Sequence, residues 1–144
     1  MEIIKAINIQ ELGLNLEKIG DFLYHEGPLL SVFKDLFSDN FYLYKWSDCD
    51  EKANRWLVFK VSMHALNAFF DKELSLRQII LDQPFSYFLD FDNALDPLSI
   101  VVVSTQNIPK NYLPEQDSYF DALEFDSYAT IFQQKIKETF LQAA

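Results

Sequence analysis

The chain has 144 residues and a formal net charge of −10, and 49% of its residues are hydrophobic and 16% aromatic. This size supports a core that needs no disulfide or metal, so we expect a single domain over residues 1–144. The apolar content excludes a disordered chain, and the acidic balance disfavours nucleic acids and anionic membranes as partners, because both attract cations.

Cys49 is the only cysteine. A single cysteine excludes an intrachain disulfide and a zinc site with two thiolates, and it is consistent with a reducing cytosol. We see no signal-peptide pattern and no apolar stretch long enough to span a bilayer. We therefore expect a cytoplasmic protein that does not contact a membrane.

The first clear segment, residues 16–24, fits two patterns. Its apolar side chains recur partly at helical and partly at strand spacing. The turn sequence His25-Glu-Gly-Pro28 follows it and favours a hairpin into 29–34. We favour strands for both segments, and a helix is the alternative for 16–24.

The central part of the chain carries the strongest signals. Two aromatic-rich strands are expected at 41–46 and 55–61, and neither has a polar face, so both should be covered on most of both sides. Ser62 is placed to cap a first helix, and Ser75-Leu-Arg-Gln78 has the capping-box pattern for a second. Pro84 ends the second helix.

A further strand pair is expected at 85–91 and 98–104, followed by a loop over 105–118. An apolar stripe after Ser127 predicts a last helix. The fold class is therefore α+β. It comprises a mainly antiparallel sheet of five to six strands, a short helical insert at about 62–82 and a C-terminal helix at about 127–141.

We find no catalytic, cofactor-binding or metal-binding constellation in the sequence. Cys49 lies in an acidic turn, the opposite of the surroundings that activate a thiolate. His25 and His64 are far apart along the chain. The aspartate-rich run after Asp90 resembles a calcium loop but lacks the glycine and glutamate that such a loop requires.

Aromatic side chains are the remaining unusual feature, with 14 Phe, 7 Tyr and 2 Trp. Several cluster on the two central strands, where they either fill the core or form a half-exposed face that binds a partner. Two arginines could add polar anchors. The candidate binding surface comprises Tyr42, Tyr44, Trp46, Trp56, Arg55 and Arg77.

A set of short motifs spreads over about residues 16–115. They are Gly27-Pro28-Leu29, Tyr42-Leu43-x-x-Trp46-x-Asp48, Arg55-Trp56-Leu57, Val61-Ser62, Leu66 and Ser75-Leu76-Arg77. In this order they resemble a small bacterial domain family of unknown function. The resemblance implies a compact α+β domain of bacterial or mobile-element proteins, and it brings no catalytic residue, cofactor or partner.

The leading hypothesis is a non-enzymatic, cytosolic module that binds another protein, as an accessory or immunity component of a bacterial defence or toxin system. Its partner is another protein, or a second copy in a homo-oligomer. One alternative is a small-molecule binder with an aromatic-lined pocket, anchored by Arg55 or Arg77. A second is an acidic mimic of nucleic acid, and an enzyme is the last.

Overall fold

The computed structural model describes residues 2–4, 12–24, 28–49, 53–92 and 97–119. Seven strands lie in these residues. They are β1 Glu2–Ile4, β2 Leu16–Tyr24, β3 Pro28–Asp35, β4 Phe41–Cys49, β5 Ala53–Val61, β6 Phe85–Asp92 and β7 Pro97–Ser104. All pair antiparallel in one sheet with the order β1-β7-β6-β5-β4-β3-β2.

Two helices, α1 Met63–Phe70 and α2 Leu76–Asp82, connect β5 to β6 and confirm the predicted insert. The Ser62 hydroxyl accepts a hydrogen bond from a backbone N–H in the first turn of α1. Ser75 and Gln78 form the predicted capping box, in which the Gln78 side chain accepts from the Ser75 N–H at 2.8 Å. Local hydrogen bonding therefore fixes where each helix begins.

The predicted α+β class with a mainly antiparallel sheet is confirmed. The six longer strands match the predicted number, and the short β1 adds an edge strand where no element was predicted. Residues 16–24 are a strand, so the helical alternative for them is wrong. The predicted helix at about 127–141 lies outside the described residues.

The sheet is apolar on both sides, as expected for strands without a polar face. We call the side of the sheet that carries α1 and α2 the helix face. It buries the larger of the two apolar clusters. The strand residues of this cluster are Leu30, Val32, Phe41, Leu43, Leu57, Phe59, Val61, Phe88 and Val103. The opposite side, the second face, buries Leu14, Tyr42, Val58, Leu89 and Ile100.

After β7 the chain forms two 3₁₀ turns, Thr105–Asn107 and Lys110–Tyr112, in the segment predicted as a loop. The segment then returns to the start of α2. The Leu76 N–H donates to the Ser118 carbonyl oxygen at 2.9 Å, and the Arg77 N–H donates to the Ser118 hydroxyl at 3.1 Å. The first N–H groups of a helix have no acceptor within that helix. Together with the capping box, these hydrogen bonds supply the acceptors at the start of α2.

Helices α1 and α2 have eight and seven residues. A membrane-spanning helix needs about 20 residues. Within the described ranges, no helix is long and apolar enough to cross a bilayer.

Candidate functional site

Four aromatic residues of the predicted surface lie together on the second face. Tyr42, Tyr44 and Trp46 alternate along β4, and Trp46 lies directly opposite Trp56 of β5. The indole N–H of Trp46 donates to the side-chain oxygen of Asn54 at 3.2 Å. The pleat of two neighbouring strands thus brings the four side chains to one side.

The four aromatic residues differ in exposure. Tyr42 is only 6% exposed, Tyr44 and Trp56 are half-buried, and Trp46 is 36% exposed. Burial, reinforced by the nearby Tyr87, raises the pKa of Tyr42 to about 12. Burial also raises the pKa of Tyr44. Trp46 is therefore the member of the group that is most available to a partner.

Arg55 lies on the helix face, away from this aromatic group. Its guanidinium donates from Nε and Nη2 to the two carboxylate oxygens of Asp90, at 2.8 and 2.9 Å. It also lies 4.8 Å from the centroid of the Phe88 ring. The hydrogen bonds to Asp90 raise the pKa of Arg55 above its ordinary value. This arginine is engaged within the fold.

Arg77 lies in the first turn of α2, and its Nη1 donates to the carbonyl oxygen of Pro114 at 3.0 Å. The structure therefore gives each of the two predicted anchors a partner within the fold, away from the aromatic group on the second face. Each arginine donates hydrogen bonds to another part of the chain. To bind a ligand through its guanidinium, each would first have to break those hydrogen bonds.

A register shift in β4 creates a polar contact near Arg55. The shift falls between Trp46 and Asp48, and it places Asp48 opposite Arg55 rather than on the second face with Trp46. Asp48 accepts a hydrogen bond from the Tyr112 hydroxyl at 2.8 Å, and this bond raises the pKa of Tyr112. The contact ties the segment after β7 to the central strands.

Large apolar side chains are exposed at one end of the sheet. Leu36 and Phe37 lie in the turn between β3 and β4, where Phe37 is 71% exposed. Leu81, near the end of α2, and Phe85, at the start of β6, are also exposed. The antiparallel order brings the β3–β4 turn and the start of β6 to the same end. We call Leu36, Phe37, Leu81 and Phe85 the apolar end.

A pocket of about 100 Å³ opens on the second face beside Phe85. Direct cross-strand pairing brings Tyr42 of β4 opposite Lys60 of β5, and Val58 of β5 opposite Tyr87 of β6. The pocket is lined by Tyr42, Val58, Lys60, Gln83, Pro84, Phe85 and Tyr87. We call it the Lys60 pocket.

Among the residues that the structure describes, no group of three or more His, Cys, Asp and Glu side chains could hold a metal ion. His64 is exposed at the start of α1. His25 and the side chain of Cys49 lie outside the described part of the chain.

No protein-family model, curated protein or solved structure matches this chain. The geometry of its own residues is therefore the basis for assigning a function.

The apolar end and the role of Lys60 were not predicted from the sequence. Leu36 and Phe37 are neighbours in a turn, so they show no periodicity that would mark them. The alternation of β5 did place Lys60 on one side with Trp56 and Val58, which is the available signal for the pocket. The register with Tyr42 supplies the rest.

Proposed function

We propose that this protein is a non-enzymatic, cytosolic module that binds a basic protein partner through the apolar end. The exposure of Phe37 carries this proposal. A phenylalanine that is 71% exposed in a short turn gains little from folding, whereas aromatic side chains are common anchors of protein interfaces. Phe85 and Leu81 are further exposed apolar side chains at this end of the sheet.

The turn that carries Phe37 is held by hydrogen bonds. One carboxylate oxygen of the buried Asp35 accepts from the N–H groups of Asn15 and Phe37, at 3.0 and 3.2 Å. The other accepts from the Ser38 hydroxyl at 2.7 Å. Burial acts to raise the pKa of Asp35, but these hydrogen bonds outweigh it and lower the pKa. A turn fixed in this way loses little entropy when a partner binds.

Charge favours a basic partner. The chain carries 22 Asp and Glu against 12 Lys and Arg, which gives the net charge of −10. A field of this sign speeds the approach of a cationic protein and repels a second copy of the same chain. A distinct basic protein therefore fits the surface better than a homo-oligomer does.

We further propose that the module is an accessory or immunity component of a bacterial defence or toxin system. The short motifs from Gly27 to Arg77 support this assignment through their resemblance to a bacterial domain family. The partner would then be a basic toxin domain that is blocked by contact rather than by chemistry.

The test is to capture partners from the native host with the wild-type chain, purify the captured protein, and measure its dissociation constant by calorimetry. We expect a basic protein whose affinity falls about tenfold or more in the Phe37→Ser variant, because a central aromatic anchor contributes on the order of 2 kcal/mol. Affinity should also fall with added salt.

Trp46→Ala is the matched control on the second face. Loss of affinity in this variant but not in Phe37→Ser would move the contact to the predicted aromatic surface and overturn the apolar end as the binding site. Unchanged affinity in both variants would exclude both surfaces. Sedimentation of the chain alone, with a dimer that Phe37→Ser dissociates, would replace the basic partner with a second copy.

A further inference from the structure

We propose that the Lys60 pocket is a binding site for a small monocarboxylate. In this assignment the Lys60 ammonium pairs with the carboxylate, and the hydroxyls of Tyr42 and Tyr87 donate hydrogen bonds to it. The site goes beyond the proposed protein contact: it shares Phe85 with the apolar end, but it does not include the anchor Phe37.

The polar groups of the pocket have no partners within the described residues. Tyr42 is 6% exposed, yet its hydroxyl makes no hydrogen bond to any residue that the structure describes, and neither does that of Tyr87. The ammonium of Lys60 forms no ion pair with a described carboxylate. Lys60 is exposed, and neither tyrosine hydroxyl is among the fully buried atoms of the described residues that lack a partner, so a ligand entering the pocket can reach all three groups. Each of them can donate a hydrogen bond to an external acceptor.

The two tyrosines are suited to act as donors. Burial raises the pKa of Tyr42 to about 12, and Tyr87, which lines the same pocket, adds to this shift. Burial raises the pKa of Tyr87 as well. Both hydroxyls therefore keep their protons at neutral pH, and each can donate to a carboxylate oxygen.

Size and surroundings define the class of ligand. A volume of about 100 Å³ admits several waters or a short-chain organic acid. Val58, Pro84 and Phe85 supply apolar walls for the carbon chain. One lysine balances one negative charge. Asp35 is close enough to Tyr42 to contribute to raising its pKa, so a second negative charge on the ligand is disfavoured.

The test is a titration of the ¹⁵N-labelled protein followed by NMR, with butyrate as the probe. We expect saturable shifts of the backbone amides around Tyr42, Lys60 and Tyr87, with a dissociation constant on the order of 1 mM for so small a ligand. Butyramide has nearly the same shape without the charge, and it should bind at least about tenfold more weakly. Inorganic phosphate should also bind more weakly than butyrate.

Lys60→Met should weaken butyrate binding by about tenfold or more, and Tyr42→Phe and Tyr87→Phe should each weaken it by about threefold or more. Lys110→Met is the matched control, because Lys110 is exposed and lies outside the pocket. Butyrate shifts that do not saturate, or that Lys110→Met reduces as much as Lys60→Met does, would overturn the site. Tighter binding of phosphate or butyramide would overturn the monocarboxylate assignment.

Discussion

Arg55 and Asp90 are direct partners across β5 and β6, and two parallel hydrogen bonds join the guanidinium to the carboxylate. The side chains are 32% and 16% exposed, so the pair is partly shielded from water. The geometry is the two-pronged arrangement that makes an arginine–carboxylate contact stronger than an ordinary surface ion pair.

This geometry predicts a measurable coupling between the two side chains. Arg55→Met and Asp90→Asn should each lower the free energy of unfolding in urea, and the double variant should reveal a coupling of about 1 kcal/mol. Lys110→Met combined with Asp90→Asn is the control and should show no coupling. A coupling of zero between Arg55 and Asp90 would mean that solvent and salt screen the pair completely.

Two buried serines should respond to alanine in opposite directions. The Ser86 hydroxyl is buried without a hydrogen-bond partner among the described residues, so Ser86→Ala should raise the free energy of unfolding by about 1 kcal/mol. The Ser118 hydroxyl accepts from the N–H of Arg77, so Ser118→Ala should lower it by about 1 kcal/mol. Thermal unfolding of both variants measures whether the free energy of unfolding rises or falls. If Ser86→Ala lowers it, the Ser86 hydroxyl must make a hydrogen bond in the folded chain.

Much of the local structure could be predicted because its causes are local. Ser62 and Ser75 mark helix starts through bonds within one turn, and those bonds are present. Alternation along β4 and β5 assigns side chains to faces without knowledge of the rest of the fold. The periodicity of residues 16–24 fits both a helix and a strand, so it does not predict their structure. Their pairing with β3, which is a contact between two segments, makes them a strand.

The candidate sites depend on contacts that are distant in sequence. The Tyr112 hydroxyl reaches Asp48, and it does so because a register shift after Trp46 places Asp48 beside Arg55. No spacing rule predicts such a shift. The Lys60 pocket likewise requires side chains from three strands, so its polar groups meet only once the sheet register is known.

Lys72 provides a test of backbone strain. It follows α1 with φ 64°, a left-handed conformation that favours glycine. Its N–H donates to the carbonyl oxygen of Phe69, and the N–H of Glu73 donates to that of Ala68, which is the Schellman pattern. Lys72→Gly should raise the free energy of unfolding by about 1 kcal/mol. Lys72→Ala removes the same side-chain interactions but keeps Cβ, so it should show no such gain, and equal effects of the two variants would contradict the strain.

Alkaline pH should destabilise the fold through Tyr42. Its pKa is raised from 10.0 to about 12 in the folded chain, mainly by burial, so the unfolded chain loses this proton first. The stabilising contribution is therefore complete below about pH 10 and is lost as the pH rises through about 12. Between about pH 10 and about pH 11, the single group should account for about 1 kcal/mol of lost stability.

Urea unfolding across this range measures the loss, and Tyr42→Phe should reduce it by that amount. The raised pKa values of Tyr44, Tyr87 and Tyr112 predict that the variant still loses some stability. Tyrosinate absorbance of the folded protein gives an independent reading, because Tyr42→Phe should remove one group that ionises near pH 12. If the wild type and the variant lose stability in parallel, the Tyr42 hydroxyl is as accessible to water in the folded chain as in the unfolded one. The Lys60 pocket would then lack a donor that is partly shielded from water.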